Sequence, residues 1–399
     1  MINKSIVFIE YTYYNGRGNW DRELIKLLAE KGYDVHAITC TFAEQFKDEE
    51  RTLKDLGVKF HFIPSNKFEF VVLSTFNAYR IVRKNKAILY VPSIRLIPFY
   101  YPIKKVLKIP IIFSLQGAGL KEMDIMPEYK DLRKHEILFK IKRKIIAWLE
   151  KWSAKLADTV IVISKAIENE LIQLGVPKEK INLIYYAIDT NLFKKDLEKR
   201  KEIRKRYDIK DDEILINYTA RLSIKDAPTK MCSAKMLIKT FAGINNANAK
   251  IMFVGGGDGI KSLKDLCKFY DIEHKVIFVG FVTHHKVPNF LSASNIFWFV
   301  MRDPLPTYGL ALQEAMSCEN IVITNNSGSM KEIIHNNVNG FLVEPDVDEM
   351  REKLEEILQK HDEKLKEIKK VARKDVEEKY SWDVILPRVE AILSKVTKK

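Results

Sequence analysis

The sequence predicts an α/β protein with two domains, each a parallel sheet covered by helices on both faces. Strand-like runs alternate with helix-like runs along the whole chain. The strand-like runs are rich in Ile and Val, as expected for parallel strands buried on both faces. A length of 399 residues is more than one hydrophobic core usually supports, which indicates two domains.

The first half of the chain shows this alternation from its start. The strand-like run SIVFIEY is followed by the helix-like run DRELIKLLAEKGY and the strand-like run DVHAITC. Leu24, Leu27 and Leu28 fall on one face of that helix at the helical period. The runs KAILYV, IPIIFSL, DTVIVIS and INLIYY continue the pattern, with a long helix predicted at about 131–156. We predict an N-terminal domain over residues 1–200.

A charged stretch, LFKKDLEKRKEIRKRYDIKDDE, interrupts the pattern at residues 192–213. It predicts a linker followed by a surface helix. The alternation resumes with ILINYTARL, KIMFVGGGDG, KVIFVGFV, SNIFWFV and GFLVEP. We predict a second domain over 201–378 and a last amphipathic helix within 379–399.

Composition and charge limit the partners and the cellular location that the sequence predicts. The formal charge of +14 fits an anionic partner, such as a membrane surface or an anionic substrate, or a lysine-rich surface balanced by 53 acids. The basic residues do not interleave with aromatics as in nucleic-acid modules, so we expect no nucleic acid. Four cysteines without a CxxC pair fit a reducing cytosol. No apolar run reaches the ~18 residues of a membrane span, and no signal peptide is apparent, which predicts a cytoplasmic protein.

Two glycine-rich turns follow strands. Gly16 and Gly18, in YYNGRGN, lie between the first strand and the first helix, where the backbone can approach a ligand closely. The alternative is a plain tight turn. Gly257, in VGGGDG, lies at the carboxyl end of a strand, the edge at which open α/β sheets bind ligands.

Charged side chains also follow strands in the second half. Arg221, Lys225 and Lys230 suit a pyrophosphate, because a guanidinium grips it as a fork and an ammonium as a point charge; the alternative is surface charge. Gly309 and Leu310 would begin a helix whose free amides face phosphate. Glu314, about one turn further on, can accept two hydrogen bonds from a ribose diol. The alternative for Glu314 is a buried acid paired with a lysine.

Together these stretches resemble the large retaining family of nucleotide-sugar glycosyltransferases with the GT-B fold, often called family 4. The most specific stretch runs from Tyr308 to Pro345, and TARL, MFVGGGDG, VIFVGFV, VIVISKAI, YAIDTNLF and YSWD occur in the family's order. The resemblance implies two Rossmann-like doubly wound domains facing a cleft, for acceptor and nucleotide sugar respectively. It also implies a C-terminal helix that crosses back to the N-terminal domain.

The resemblance further implies the activity: a hexose-type sugar moves from a nucleotide-diphosphate sugar to an acceptor hydroxyl with retention, without metal or cofactor. A lipid-linked or cell-surface glycan is the candidate acceptor. Arg221, with Lys225 or Lys230, would act catalytically on the diphosphate. The implied substrate-binding residues are Gly16, Gly18, Gln116, Gly257, Asp303, Thr307, Tyr308, Gly309, Leu310 and Glu314.

Three positions depart from the family's pattern. Pro306 replaces the first of the two usual glutamates, so Asp303 or Thr307 would have to supply the sugar contact. The usual lysine position holds Asp226, and Gln116 stands where a histidine is frequent. These departures leave two alternatives open: a non-catalytic nucleotide-sugar-binding homologue, and a nucleotide-sugar epimerase of the same fold.

A basic segment of the first half predicts contact with an anionic membrane surface, at the inner face of the membrane; the alternative is surface charge alone. Residues 71–120 carry eight basic side chains and no acid, with PFYYPIKKVLK among them. A second segment, LFKIKRKIIAWLEKW, adds further lysines beside Trp148 and Trp152. For this second helix we expect one face packed in the core and a solvated basic face.

Overall fold

The computed structural model describes all residues except 1–4, 11, 14–16, 43–46, 64–65, 93–95, 117–134, 226, 245–247, 302–308, 360–362 and 398–399. The chain forms two compact units. The first contains the described residues up to Tyr186 together with those from Ile385 onward. The second extends from Ala187 to Val384.

The first unit is built on a parallel sheet of seven strands in the order β5-β3-β1-β6-β7-β8-β9. A separate parallel pair joins β2 to β4. The strands are β1 (Ser5–Ile9), β2 (Thr12–Tyr13), β3 (Asp34–Thr39), β4 (Thr41–Phe42), β5 (Lys59–Phe62), β6 (Ile88–Val91), β7 (Ile111–Leu115), β8 (Thr159–Val162) and β9 (Ile181–Leu183). Strands β1, β6, β7 and β8 are buried throughout, which explains their near-continuous apolar sequences.

Six helices are described among the residues of this unit up to Tyr186. They are α1 (Arg17–Glu30), α2 (Lys47–Asp55), α3 (Lys67–Asn85), α4 (Ile97–Leu107), α5 (Glu136–Leu156) and α6 (Lys165–Gln173). From β1 the chain passes outward to β3 and β5, and then returns to place β6 on the other side of β1. The strand order therefore reverses between β1 and β6, the point at which open α/β sheets leave a crevice.

The second unit has a six-stranded parallel sheet in the order β12-β11-β10-β13-β14-β15. Its strands are β10 (Ile214–Thr219), β11 (Ala249–Val254), β12 (Val276–Gly280), β13 (Ile296–Phe299), β14 (Ile321–Asn325) and β15 (Phe341–Val343). Here the order reverses between β10 and β13. Trp298, Tyr218 and Phe253 form the centre of the core beside this reversal, and none is exposed to solvent.

Nine helices are described in the rest of the chain. They are α7 (Leu197–Arg206), α8 (Pro228–Ala242), α9 (Ile260–Phe269), α10 (Val287–Ala293), α11 (Leu310–Ser317), α12 (Met330–Ile333), α13 (Val347–Gln359), α14 (Glu363–Asp375) and α15 (Trp382–Thr397). A π-helical turn, Val376–Tyr380, precedes α15. The predicted α/β class with two doubly wound parallel sheets is confirmed.

The charged stretch at 192–213 contains a surface helix, as the sequence predicted, but it is not a linker. Asp196 caps α7 by accepting from the amides of Glu198 and Lys199, both at 2.9 Å. Arg204 is only 2% exposed. Its guanidinium donates to the carbonyls of Ala293 at 3.0 Å and Glu213 at 2.6 Å. These bonds attach α7 to the second unit, because a buried guanidinium needs acceptors for its donors.

The chain changes unit at residues 186 and 187, rather than at the predicted boundary of 200 and 201. Ile188 pairs with Ser381 in a parallel bridge, and α7 packs on α10. These contacts keep residues 187–200 with the second unit.

The last helix, α15, belongs to the first unit from Ile385 onward. Glu390 accepts hydrogen bonds from Lys31 at 2.8 Å and from the Tyr33 hydroxyl at 3.3 Å. Burial and the neighbouring Glu390 charge raise the pKa of Tyr33 to about 12. Among the helices described, none is both long and apolar enough to cross a membrane.

Candidate functional site

The reversal of strand order in the second unit brings two of the predicted site residues, Arg221 and Glu314, to one sheet edge. Arg221 follows the carboxyl end of β10 and is exposed. Glu314 lies in α11, which follows β13. Strands β10 and β13 are neighbours in the sheet, so both side chains belong to segments that flank the reversal. Open α/β sheets bind ligands at such points.

Lys230 lies in the first turn of α8 and joins this group. Its carbonyl accepts a hydrogen bond from the buried Tyr218 hydroxyl at 2.6 Å, which ties the start of α8 to β10. Burial lowers the pKa of Lys230, and the positive charge of Arg221 lowers it further, while Glu314 opposes the shift. Two cations held this close repel each other, and a bound diphosphate would relieve that repulsion.

Lys225 belongs to a different neighbourhood. It is exposed, and its charge acts on Asp258 of the glycine-rich turn. Asp258 accepts a hydrogen bond from the amide of Ile224 at 2.8 Å, and this bond is the main cause of the lowered pKa of Asp258. Of the two lysines the sequence left open, Lys230 is therefore the one grouped with Arg221 and Glu314.

The glycine-rich turn after β11 supports the Arg221 segment by close packing. A Cβ on Gly255 would lie 1.9 Å from the carbonyl oxygen of Ala220, and one on Gly257 would lie 2.1 Å from that of Leu222. Both glycines also have positive φ, at +142° and +152°. Gly257 was predicted from its place at the sheet edge as a substrate contact. The structure shows that contact with the backbone of Leu222 itself requires glycine there.

Gly309 and Leu310 occupy the predicted start of α11. Gly309 is the N-cap and has no side chain to cap the helix, so it leaves the first amides to other partners. A Cβ on Gly309 would lie 2.8 Å from Cδ1 of Leu312. Glycine thus lets the chain pass close over the first turn of α11.

Glu314 is buried, with 6% of its surface exposed, and its hydrogen-bond partner is a histidine. Nε2 of His284 lies 2.7 Å from Oε1 of Glu314. An ionised carboxylate only accepts, so the ring nitrogen donates. The alternative, a hydrogen-bonded pair between Glu314 and a lysine, is therefore wrong for Oε1 of Glu314. The charges of Glu314 and Lys230 do interact.

His284 is itself positioned by a buried scaffold. The His284 ring lies 5.2 Å from the Phe193 ring, centroid to centroid. Arg373 donates to the carbonyl oxygens of Phe193 and Ser317, both at 2.7 Å, and of Thr190 at 3.1 Å. Ser317 is the last residue of α11. Arg373 therefore joins the 190–193 segment to the helix that carries Glu314.

His284 was not predicted from the sequence. The residue follows β12, whose carboxyl end lies at the same edge as those of β10 and β13. The signal available was the pair His284-His285 directly after a predicted strand. Nothing in the sequence shows which histidine turns toward Glu314, 30 residues away.

Two of the residues predicted in the first unit, Gly18 and Gln116, are described. Gly18 lies in the first turn of α1. Gln116 follows β7 and is 3% exposed. Its amide donates to Asp21 at 2.8 Å, and Ser114 beside it accepts from the Tyr90 hydroxyl at 2.8 Å. Gln116 thus holds a buried carboxylate at the sheet edge.

Several predicted positions lie outside the described residues: Gly16, Asp303, Pro306, Thr307, Tyr308 and Asp226. The part of the chain that is described contains no group of three or more His, Cys, Asp or Glu that could hold a metal ion.

Comparison with known proteins places the chain in a family. Residues 199–375 match the Glycosyl transferases group 1 family, and residues 15–192 match Glycosyltransferase Family 4. An uncharacterized glycosyltransferase of Methanocaldococcus jannaschii is 30% identical over 279 residues, covering 67% of this chain and 69% of the relative. The chain therefore belongs to the group 1, or family 4, glycosyltransferases.

Two further similarities are informative. The N-acetyl-alpha-D-glucosaminyl L-malate synthase of Bacillus anthracis is 25% identical over 346 residues, covering 84% of this chain and 82% of the relative. The crystal structure of Anabaena HepE in complex with UDP has a TM-score of 0.79 at 18% identity, covering 98% of this chain and 100% of HepE. This structural likeness shows the GT-B fold.

We expect the two lysines to differ in anion binding. Lys230→Ala should weaken binding of UDP, GDP or ADP, whichever the protein prefers, by roughly 10- to 100-fold, because a charge-assisted contact is lost. Lys225→Ala, the matched control, should change the dissociation constant by less than about 2-fold, since Lys225 acts on Asp258. Titration calorimetry measures both. Equal losses in the two variants would contradict the grouping of Lys230 with Arg221.

We also expect His284 to position Glu314 for binding. His284→Ala leaves a buried carboxylate oxygen without its donor, which costs about 1–3 kcal/mol and should weaken nucleoside diphosphate binding by roughly 5- to 150-fold. His284→Gln, which keeps an N–H donor, should recover part of the loss. The exposed neighbour His285 provides the control: His285→Ala should bind as the wild type does. Tighter binding by His284→Ala would show that His284 competes with the ligand for Glu314.

Proposed function

We propose that this protein transfers a hexose-type sugar from a nucleotide-diphosphate sugar to an acceptor hydroxyl, with retention of configuration at the anomeric carbon. The observation that carries the proposal is the group formed by Arg221, Lys230, Glu314 and His284. It combines two cations for a diphosphate with a buried carboxylate for ribose hydroxyls. We assign donor binding to the second unit and acceptor binding to the first.

The relatives support this choice of donor. HepE, which shares the fold, has been solved with UDP and with UDP-glucose. The relative from Bacillus anthracis is named for an N-acetyl-glucosaminyl product. A pyrimidine or purine nucleotide with a hexose is therefore the donor class to test first.

The chemistry follows from the charges at the site. The bond between the anomeric carbon and the diphosphate oxygen breaks, and negative charge grows on the leaving diphosphate. Arg221 can bind that charge as a fork and Lys230 as a point charge, which stabilises the transition state more than the ground state. The acceptor oxygen attacks the anomeric carbon from the face that the diphosphate leaves. Its proton passes to a diphosphate oxygen, so no protein nucleophile is required.

For the acceptor we propose a lipid-linked or cell-surface glycan, used in the cytoplasm at the inner face of the membrane. The support is the basic, aromatic-rich surface of the first unit, which includes exposed Phe99 and Lys105. The remaining predicted contacts, Asp303, Thr307 and Tyr308 for the donor and Gly16 and Gly18 in the first unit, stay part of this proposal.

The test is a panel of UDP-, GDP- and ADP-sugars. A true donor should raise the unfolding temperature of the protein and be slowly hydrolysed when no acceptor is present. Arg221→Ala should lower that turnover by roughly 10²- to 10³-fold with little change in the unfolding temperature, and Arg221→Lys should recover only part. A protein that binds and hydrolyses none of the donors would contradict the proposal. Inverted anomeric configuration in the product, read by NMR, would refute retention alone.

A second prediction concerns donor choice. Pro306 stands where most family members have a glutamate, so Pro306→Glu should restore a carboxylate to the donor sugar site and shift the preference among donors. Hydrolysis rates over the same panel measure the shift. Pro304→Glu, two residues earlier, is the matched control and should leave the preference unchanged. An identical donor profile in wild type and Pro306→Glu would contradict a role for this position.

A further inference from the structure

Helix α5 exposes a continuous apolar stripe. Ile137, Ile141, Ile145, Trp148 and Trp152 are 75%, 50%, 51%, 56% and 38% exposed. Their spacing of three or four residues places them on one face of the helix. At 1.5 Å per residue the stripe is roughly 22 Å long. Single exposed apolar residues are ordinary, but a contiguous stripe of this size marks an interaction surface.

The stripe is not the face with which α5 packs on its own unit. That packing face carries Glu150, Ser153 and Ala154, all buried. The expectation that this helix buries one face and exposes a basic face is therefore incomplete. The fully buried residues are small or polar, Phe139, Ile146 and Leu149 are partly buried, and the residues of the stripe remain exposed to solvent.

Basic side chains border the stripe. At 100° per residue, Lys140, Lys144 and Lys151 fall on one flank of the stripe, and Lys142 falls on the other. Glu136 and Glu150 are the acids of α5. Glu136 pairs with Lys140 at the start of the helix, at 2.5 Å, and Glu150 is buried. The exposed surface beyond the first turn is thus apolar at its centre and cationic at its margins.

The two tryptophans of the stripe are of the residue type that is typical of a bilayer interface. The Trp148 and Trp152 rings stack with centroids 4.9 Å apart. Tryptophan is enriched at the interface of bilayers, where its apolar body enters the headgroup region and its N–H remains near water. A stacked, exposed pair at the centre of a lysine-bordered face has the composition of an interfacial helix.

The neighbouring helices also expose large apolar side chains. Helix α4 contacts both α3 and α5. Lys104 of α4 donates to the carbonyl of Leu156 at 2.9 Å and pairs with Asp158 at 2.8 Å, which fixes α4 against the end of α5. Phe99 of α4 and Phe76 of α3 are 52% and 59% exposed. We call Ile141, Ile145, Trp148 and Trp152 of α5 together the docking face.

We propose that the docking face binds the surface of an anionic lipid bilayer, with α5 lying in the interface and its apolar stripe inserted among the headgroups. Charge complementarity selects this occupant, because lysines on both flanks of an apolar stripe attract anionic headgroups. A second copy of this chain fits less well. A two-fold interface would oppose identical faces and bring the lysine margins together. The inference rests on the proposed function only for the acceptor; docking itself requires no transfer.

The test is co-sedimentation of the full chain with vesicles of phosphatidylcholine and phosphatidylglycerol in equal parts, compared with phosphatidylcholine alone. The wild type should bind the anionic vesicles at low salt, and lose roughly 10-fold or more in affinity at high salt, because surface charges are screened. Tryptophan emission should shift to shorter wavelength on binding. Wild-type protein that remains in the supernatant with anionic vesicles at low salt would overturn the proposal.

Variants separate the apolar and the cationic contributions. Ile141→Ser combined with Ile145→Ser should reduce vesicle binding by roughly 10-fold or more, since inserted apolar area is lost. Lys142→Glu combined with Lys144→Glu should abolish the preference for anionic vesicles. Lys104 is left unchanged because it joins α4 to α5. The matched controls lie on α9 of the second unit, where Phe269 is 79% exposed and Lys268 is exposed. Phe269→Ser and Lys268→Glu should bind as the wild type does.

The oligomeric state and the rate of donor hydrolysis are measured as well, so that each outcome has one interpretation. Equal losses in the α5 variants and the α9 controls would show only nonspecific charge and overturn the proposal. Dimerisation of the wild type without vesicles, abolished by the same α5 variants, would assign the face to a second copy and also overturn it. Donor hydrolysis should be unchanged in all α5 variants. Docking without hydrolysis would count against the proposed function alone, and hydrolysis without docking would count against this inference alone.

Discussion

The order of the parallel strands is the constraint on which the candidate site depends. All strands of a parallel sheet end at one edge, and in the second unit their order reverses between β10 and β13. Segments that follow adjacent strands then diverge to opposite faces of the sheet, which leaves space for a ligand between them. Arg221 and Lys230 lie on the segments after β10, and Glu314 on the helix after β13. The chemistry of the site therefore follows from topology before any individual contact is considered.

Close backbone packing and buried hydrogen bonds then set the site's geometry. Gly255 and Gly257 let the turn after β11 lie directly against the backbone of Ala220 and Leu222, so the Arg221 segment has a rigid support. On the other side, Arg373 ties Phe193 to the end of α11. Phe193 in turn contacts His284, the donor to Glu314. Preorganised charges of this kind need little rearrangement when a ligand binds.

Helices α3, α4 and α5 of the first unit each have a buried side and an exposed side. Tyr100 of α4 and Ser74 of α3 share a buried hydrogen bond of 2.7 Å, and α5 buries Ser153 and Ala154. The opposite sides of these helices carry large apolar and basic side chains. On α5 the fully buried Ser153 and Ala154 are small, while Ile141, Ile145 and Trp148 remain exposed.

The sequence by itself determined the class of fold and much of the candidate site. Buried Ile- and Val-rich runs separated by amphipathic helices can hardly form anything but covered parallel sheets. Arg221 and Glu314 were predicted because each belongs to a segment that follows a recognisable strand. Tertiary structure decided the rest. His284 meets Glu314 only because β12 ends at the same edge as β13. Lys230, rather than Lys225, joins Arg221 because α8 begins where Tyr218 holds it. The charged segment around Arg204 is anchored by carbonyls some 90 residues away, and the periodicity of α5 did not show which of its faces would be buried. Spacing along the chain reports local structure, whereas these contacts join residues that only packing brings together.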